Sequence, residues 1–190
     1  MNYDNVSFRL NKLFDKIVSP DFMNGTGLSN EVSYYIFDYP PEFELEVREE
    51  VKFRKDKINN GNYSFQIVEF DLYDLTYKFL DEKNFKDKFF KLEKTHGRDT
   101  ACDALVKAMK LSTNDNWINK YIKENTPDNG VVFVTGVGKV FPMIRSHTII
   151  NTLHQVLDNV PVVMFFPGDY SGNNLSIFGT DSNYYRAFKF

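Results

Sequence analysis

One cysteine, Cys102, leaves no partner for an internal disulfide and no set of thiolates for a zinc cluster, which suits a reducing cytoplasm. A small side chain packed on a helix is its plainest use. Long apolar runs are missing as well. No window approaches the roughly 18 to 20 apolar residues of a membrane span, and the amino terminus lacks the basic-then-apolar order of an export signal. There is no excess of positive charge either: Lys plus Arg number 23 against 26 Asp plus Glu, a formal charge of -3. Sequence-independent attraction to a phosphate backbone is therefore disfavoured. Internal repeats and low-complexity tracts are also lacking. Together these absences predict a soluble cytoplasmic protein that neither spans a membrane nor binds nucleic acid strongly on its own.

The 190 residues are 42% hydrophobic and 16% aromatic, enough to bury one sizeable core, so residues 1–190 are expected to form a single domain. Val6, Leu10, Leu13, Phe14 and Ile17 fall at helical spacing and predict an opening helix that Ser19-Pro20 stops before the polar Asn24-Gly-Thr-Gly27 turn. Ser33 to Asp38 reads as a first strand, closed by Tyr39-Pro40-Pro41. From Glu42 onward alternation and helical spacing compete. Pro41 in a first turn and the many Glu, Lys and Arg side chains decide for helix. Ser64 to Phe70 is a second strand, and residues 72–125 read as helical throughout, longer than a simple crossover needs. Lysines 83, 86, 88, 91 and 94 alternate there with Asp81, Glu82, Asp87 and Glu93, the pattern of a solvated helix face. Val131 to Thr135 is a third strand, followed by a helix near Pro142 to Asp158, and Val160 to Phe166 is a fourth. Extended pieces at 175–178 and 184–188 are expected to finish the sheet edge. This alternation predicts an α/β fold, a Rossmann-like three-layer sandwich whose mostly parallel sheet carries a helical insertion between strands two and three.

The third strand and its exit, Val131-Val-Phe-Val-Thr-Gly-Val-Gly-Lys139, have the outline of a nucleotide-binding loop without its substance. A phosphate-cradling loop of the Walker type needs a glycine five positions before the Gly-Lys pair and a Ser or Thr after it. Phe133 and Val140 stand there instead. Ligands of open α/β sheets sit beyond the carboxyl ends of the strands, where Asp38, Asp71, Gly136, Gly138 and Asp169 form a candidate strand-end site. Three convergent carboxylates there could hold magnesium through oxygens and waters, whereas the same acids also serve as helix caps and turn formers. No metal site and no cofactor is assigned.

Arg145, near a glycine turn and a helix start, is the best single candidate for gripping an anion. His147, Asn151 and His154 share one helix face at i, i+4 and i+7, yet the two histidines stand about 10 Å apart, too far for one zinc ion. Ser146 and His147 point about 100° apart and cannot form a relay with each other. Tyr184, Tyr185 and Arg186 are residue types that dominate interface hot spots. Arg145, His147, Asn151, His154, Tyr184, Tyr185 and Arg186 are the candidate partner or anion contacts.

Leu10-Asn-Lys-Leu13, Asn24-Gly-Thr-Gly-Leu-Ser-Asn-Glu-Val32, Tyr35-Ile-Phe-Asp-Tyr39, Glu44-Leu-Glu-Val-Arg48, Glu69-Phe-Asp-Leu-Tyr-Asp-Leu75, Thr135-Gly-Val-Gly138, Phe141-Pro142 with Arg145-Ser-His-Thr148, and Asn183-Tyr-Tyr-Arg-Ala-Phe188 follow one another in an order and spacing that resemble the BrxB family of BREX bacteriophage-exclusion systems. The resemblance covers nearly the full chain and is least distinct over 82–125. It implies a bacterial cytoplasmic defence component working beside an adenine methyltransferase, an ATPase and the alkaline-phosphatase-like protein PglZ, with PglZ an expected partner and the ATPase a further one. No catalytic residue comes with it. The expectation is thus a non-enzymatic assembly or adaptor protein. The alternative is a degenerate nucleotide-binding or metal-dependent hydrolytic enzyme built on the strand-end acids.

Overall fold

The computed structural model describes residues 2–23, 34–158, 160–171, 174–177, 180–183 and 188–190. Helix α1 (Tyr3–Ile17) starts on Asn2, whose side chain accepts the Asn5 N–H, and buries the predicted stripe Val6, Leu10, Leu13, Phe14 and Ile17. The short α2 (Pro20–Met23) follows, then β1 (Tyr34–Tyr39), a single 3₁₀ turn and α3 (Glu44–Asn59). After β2 (Gln66–Asp71) come four helices: α4 (Leu72–Glu82), α5 (Lys86–His96), α6 (Arg98–Ala108) and α7 (Trp117–Glu124). This is the helical insertion expected between strands two and three. Strand β3 (Gly130–Thr135), α8 (Val137–Val140), α9 (Ser146–Leu153) and β4 (Val162–Pro167) complete the main alternation.

The four long strands are all parallel, in the order β2-β3-β4-β1. That order explains the three layers. A right-handed crossover places its helices on one face when the chain moves one way across a sheet and on the other face when it moves back. The step from β1 to β2 passes over two strands, and the steps to β3 and β4 return. Packing follows this division. Tyr35, Phe37, Phe133 and Phe165 point into a core shared with α1 and α3, while their neighbours Ile36, Val132, Val134 and Met164 point into a second core shared with α4 and α6–α9. Strands β1, β3 and β4 are buried along their whole length, as strands covered on both faces must be, whereas the outer strand β2 is only partly covered.

Two expectations change. The extended pieces near the carboxyl terminus do not all extend the main sheet. β5 (Asp169–Tyr170), β6 (Asn174–Ile177) and β7 (Thr180–Asn183) form a separate antiparallel sheet, and only β8 (Phe188–Lys189) joins the main one, parallel to β1. The helix expected from Pro142 to Asp158 is shorter at both ends. Pro142 lies in a turn after a cis Phe141–Pro142 bond, and α9 begins only at Ser146. At the other end, the buried Tyr34 hydroxyl donates to the Leu157 carbonyl at 2.6 Å, while the His154 ring packs 4.8 Å from the Tyr34 ring. These contacts hold the chain in turns on its way into β4.

Phe133 is fully buried between Phe14 and Phe165, with ring centroids 5.8 and 5.1 Å away. Phe133→Ala is expected to lower unfolding stability by about 3 to 5 kcal/mol, read as a fall in the urea midpoint, because α1 and β4 cannot both collapse into the space.

Candidate functional site at the carboxyl ends of the strands

Asp38, the penultimate residue of β1, is 3% exposed and surrounded by donors. Arg9 of α1 pairs with its carboxylate and donates to its backbone carbonyl at 2.8 Å, Lys189 of β8 approaches Oδ2 at 2.7 Å, and the Tyr170 N–H donates to Oδ2 at 3.1 Å. Arg9 also donates to the Phe190 carbonyl at 2.6 Å and lies 4.8 Å from the centre of the Phe37 ring. One carboxylate thereby joins α1, β1, β5 and the carboxyl-terminal strand. Tyr39, the next residue, donates its hydroxyl to Glu44. Burial first, and then the Glu44 charge, hold that phenol far above its ordinary range, so it stays protonated.

Asp71, at the end of β2, caps α4 by accepting the Tyr73 and Asp74 N–H groups at 2.9 and 3.3 Å. Its second oxygen takes the Lys139 ammonium. Gly136 stands against it with φ +72, and a β-carbon there would collide with the Asp71 carboxylate. The glycine turn is therefore shaped to receive an acid of the chain itself. Its lysine closes on that acid, and Gly138 lets α8 approach Pro167, whose Cγ would lie 3.0 Å from an added β-carbon. Alongside, the Thr135 hydroxyl donates to Glu69 Oε1 at 3.0 Å and Lys55 donates to Glu69 Oε2 at 2.6 Å.

Asp38 and Asp71 belong to the two outer positions of the four-strand order, three strand spacings or about 14 Å apart. Asp169, in β5, is exposed. Among the described residues no group of three or more His, Cys, Asp or Glu stands close enough to hold a metal ion.

Arg145 is exposed at the N-cap position of α9, and its side chain makes no capping hydrogen bond. His147 is half-buried, and burial followed by the Arg145 charge pushes its imidazole below its ordinary range, favouring the neutral form. Its Nδ1 has no hydrogen-bond partner among the described residues. Asn151 is exposed, and His154 sits at the helix C-cap against Tyr34. Tyr184, Tyr185 and Arg186 lie outside the described residues. Cys102 is half-buried, and burial pushes its thiol up, away from thiolate character. The residues that sequence reasoning missed are the cations: Arg9, Lys139 and Lys189 at the strand ends, and Arg48, Lys52 and Lys55 on α3.

A family model described as BREX protein BrxB matches residues 68–190. A Bacillus cereus (strain H3081.97) protein of that name is 45% identical over 186 residues, covering 97% of this chain and 96% of the relative. The chain belongs to the BrxB family. A second BREX protein BrxB, from Escherichia coli O9:H4 (strain HS), is 30% identical over 186 residues, covering 97% of this chain and 90% of the relative. No solved structure matches the chain. As a BrxB-family member it is a component of a BREX anti-phage system, and no helix among the described residues is long and apolar enough to cross a membrane.

In this BrxB-family chain, Gly136→Ala must accept a left-handed backbone and displace the Asp71 carboxylate. It is expected to cost about 2 kcal/mol or more in urea unfolding. Repeating Gly136→Ala in an Asp71→Ala background removes the colliding carboxylate and leaves the left-handed backbone strain, so the difference between the two costs measures the Asp71 contact.

Proposed function

We propose that the protein is a non-enzymatic adaptor of the BREX system, acting in the cytoplasm by binding the PglZ-like phosphatase-fold component and, within the same assembly, the BREX ATPase. Family membership supplies the system. The observation that carries the non-enzymatic part is the closure of Lys139 on Asp71 over Gly136. In a working phosphate loop the lysine and the glycine-turn amides face a ligand. Here an internal carboxylate fills that place. Asp38 is likewise held by Arg9 and Lys189, which leaves neither acid the freedom of a general base or a metal ligand.

The candidate histidines support the same reading. His147 Nδ1 has no hydrogen-bond partner among the described residues, so no nucleophile is paired to it there, and His154 is packed on an aromatic ring. Arg145 and Asn151 are exposed and available to a protein surface.

Co-expression with the PglZ-like protein, followed by size-exclusion chromatography with mass determination at moderate salt, tests the proposal. A co-eluting complex of the summed mass is expected. Separate elution overturns the PglZ assignment.

A further inference from the structure

Strand β2 closes one side of the main sheet, and its outward backbone groups form an edge that the rest of the fold only half covers. The Ile67 N–H and C=O turn outward, and both are taken by the Asn59 side-chain amide at 2.8 Å. In a strand the groups of residues i and i+2 face the same way, so those of Glu69 face outward too. Among the described residues nothing bonds the Glu69 N–H or C=O on that side. An unpaired strand edge is a template for another strand.

Helix α3 runs beside this edge and presents one chemical face to it. Arg48, Lys52, Lys55 and Asn59 recur at i, i+4, i+7 and i+11, a single stripe of the helix. At one end of the stripe Asn59 closes the edge, and along the rest three cations follow it. Lys78 and Lys139 stand on the other side of a groove of about 730 Å³ that is floored by β2. The groove holds five cations against three carboxylates, Glu69, Asp71 and Asp74, in a chain whose formal charge is -3. Lys52 makes no ion pair among the described residues, the Lys78–Glu82 pair is loose at 3.8 Å, and Arg48 holds Glu44 at 3.0 Å in an exposed i,i+4 pair that water screens.

We infer that the β2 edge is a docking site for an extended acidic segment of another BREX protein, which adds as a short strand on Glu69 and sets its carboxylates against Arg48, Lys52 and Lys78. The inference rests on the adaptor reading above. Charge selects the occupant. Two copies of this edge would bring like cations together, which disfavours self-pairing, whereas an acidic strand gains both main-chain hydrogen bonds and ion pairs. Asn59 sets the register by blocking Ile67.

The test is co-purification of the tagged full-length chain with co-expressed BREX proteins. Wild type is compared with the charge-reversed Arg48→Glu/Lys52→Glu and the charge-conserving Arg48→Lys/Lys52→Arg, with circular dichroism of each and amide exchange at Glu69 in the wild-type complex. The expected result is retention by wild type and the conserving variant, about tenfold weaker retention by the reversed one, and slowed Glu69 exchange on binding. A complex that survives charge reversal unchanged, or in which the Glu69 amide exchanges as in the free chain, overturns the edge site and leaves the adaptor reading standing. A wild-type chain that retains no BREX protein overturns both.

Discussion

The buried carboxylate of Asp38 is the constraint around which the carboxyl end of the sheet is built. An ionised group at that depth costs several kcal/mol unless paired and hydrogen-bonded. Its partners come from far apart in the chain: Arg9 from the first helix, the Tyr170 amide from the second sheet and Lys189 from the last strand. Satisfying one charge thus fixes where both ends of the polypeptide lie. The Arg9 guanidinium serves twice, since it also reaches the Phe190 carbonyl, so the amino-terminal helix and the final residue are held against the same strand.

At the opposite side of the sheet the same solution recurs on a smaller scale. Asp71 caps α4, receives Lys139 and rests on Gly136, which welds the end of β2 to the exit of β3. The two anchors bracket β3 and β4, whose side chains are wholly apolar up to Thr135 and Pro167. A sheet end that in many α/β proteins is left open for a ligand is here joined by internal ion pairs, and this closure is what supports the proposed adaptor role and the proposed docking at the β2 edge.

Much of the fold was legible because its signals are local. The α1 stripe, the four β-branched and aromatic strands and the long helical stretch after Asp71 each carry their own periodicity, and Asp71 was readable as a cap from its place before Leu72. Strand order carries no such signal. Three acids following three strands suggested convergence, yet β3 and β4 lie between β1 and β2 and hold Asp38 and Asp71 apart. The Lys139–Asp71 pair spans 68 positions and the Arg9–Phe190 contact 181, so neither leaves a mark in any short window. Pro142 fits a helix start by residue type, but the turn after α8 uses it first and delays α9 to Ser146. The α3 stripe of Arg48, Lys52, Lys55 and Asn59 went unread in the sequence, because its meaning required knowing that β2 lies at an edge.

The central claim is that the strand-end charges serve the fold rather than a ligand. A double-mutant cycle in urea on Arg9→Met and Asp38→Asn tests it most directly. The account predicts a coupling energy of about 1 to 3 kcal/mol, since the half-buried guanidinium pairs directly with the buried carboxylate. Effects that add within about 0.5 kcal/mol would contradict it, showing that the buried Asp38 carboxylate does not depend on Arg9.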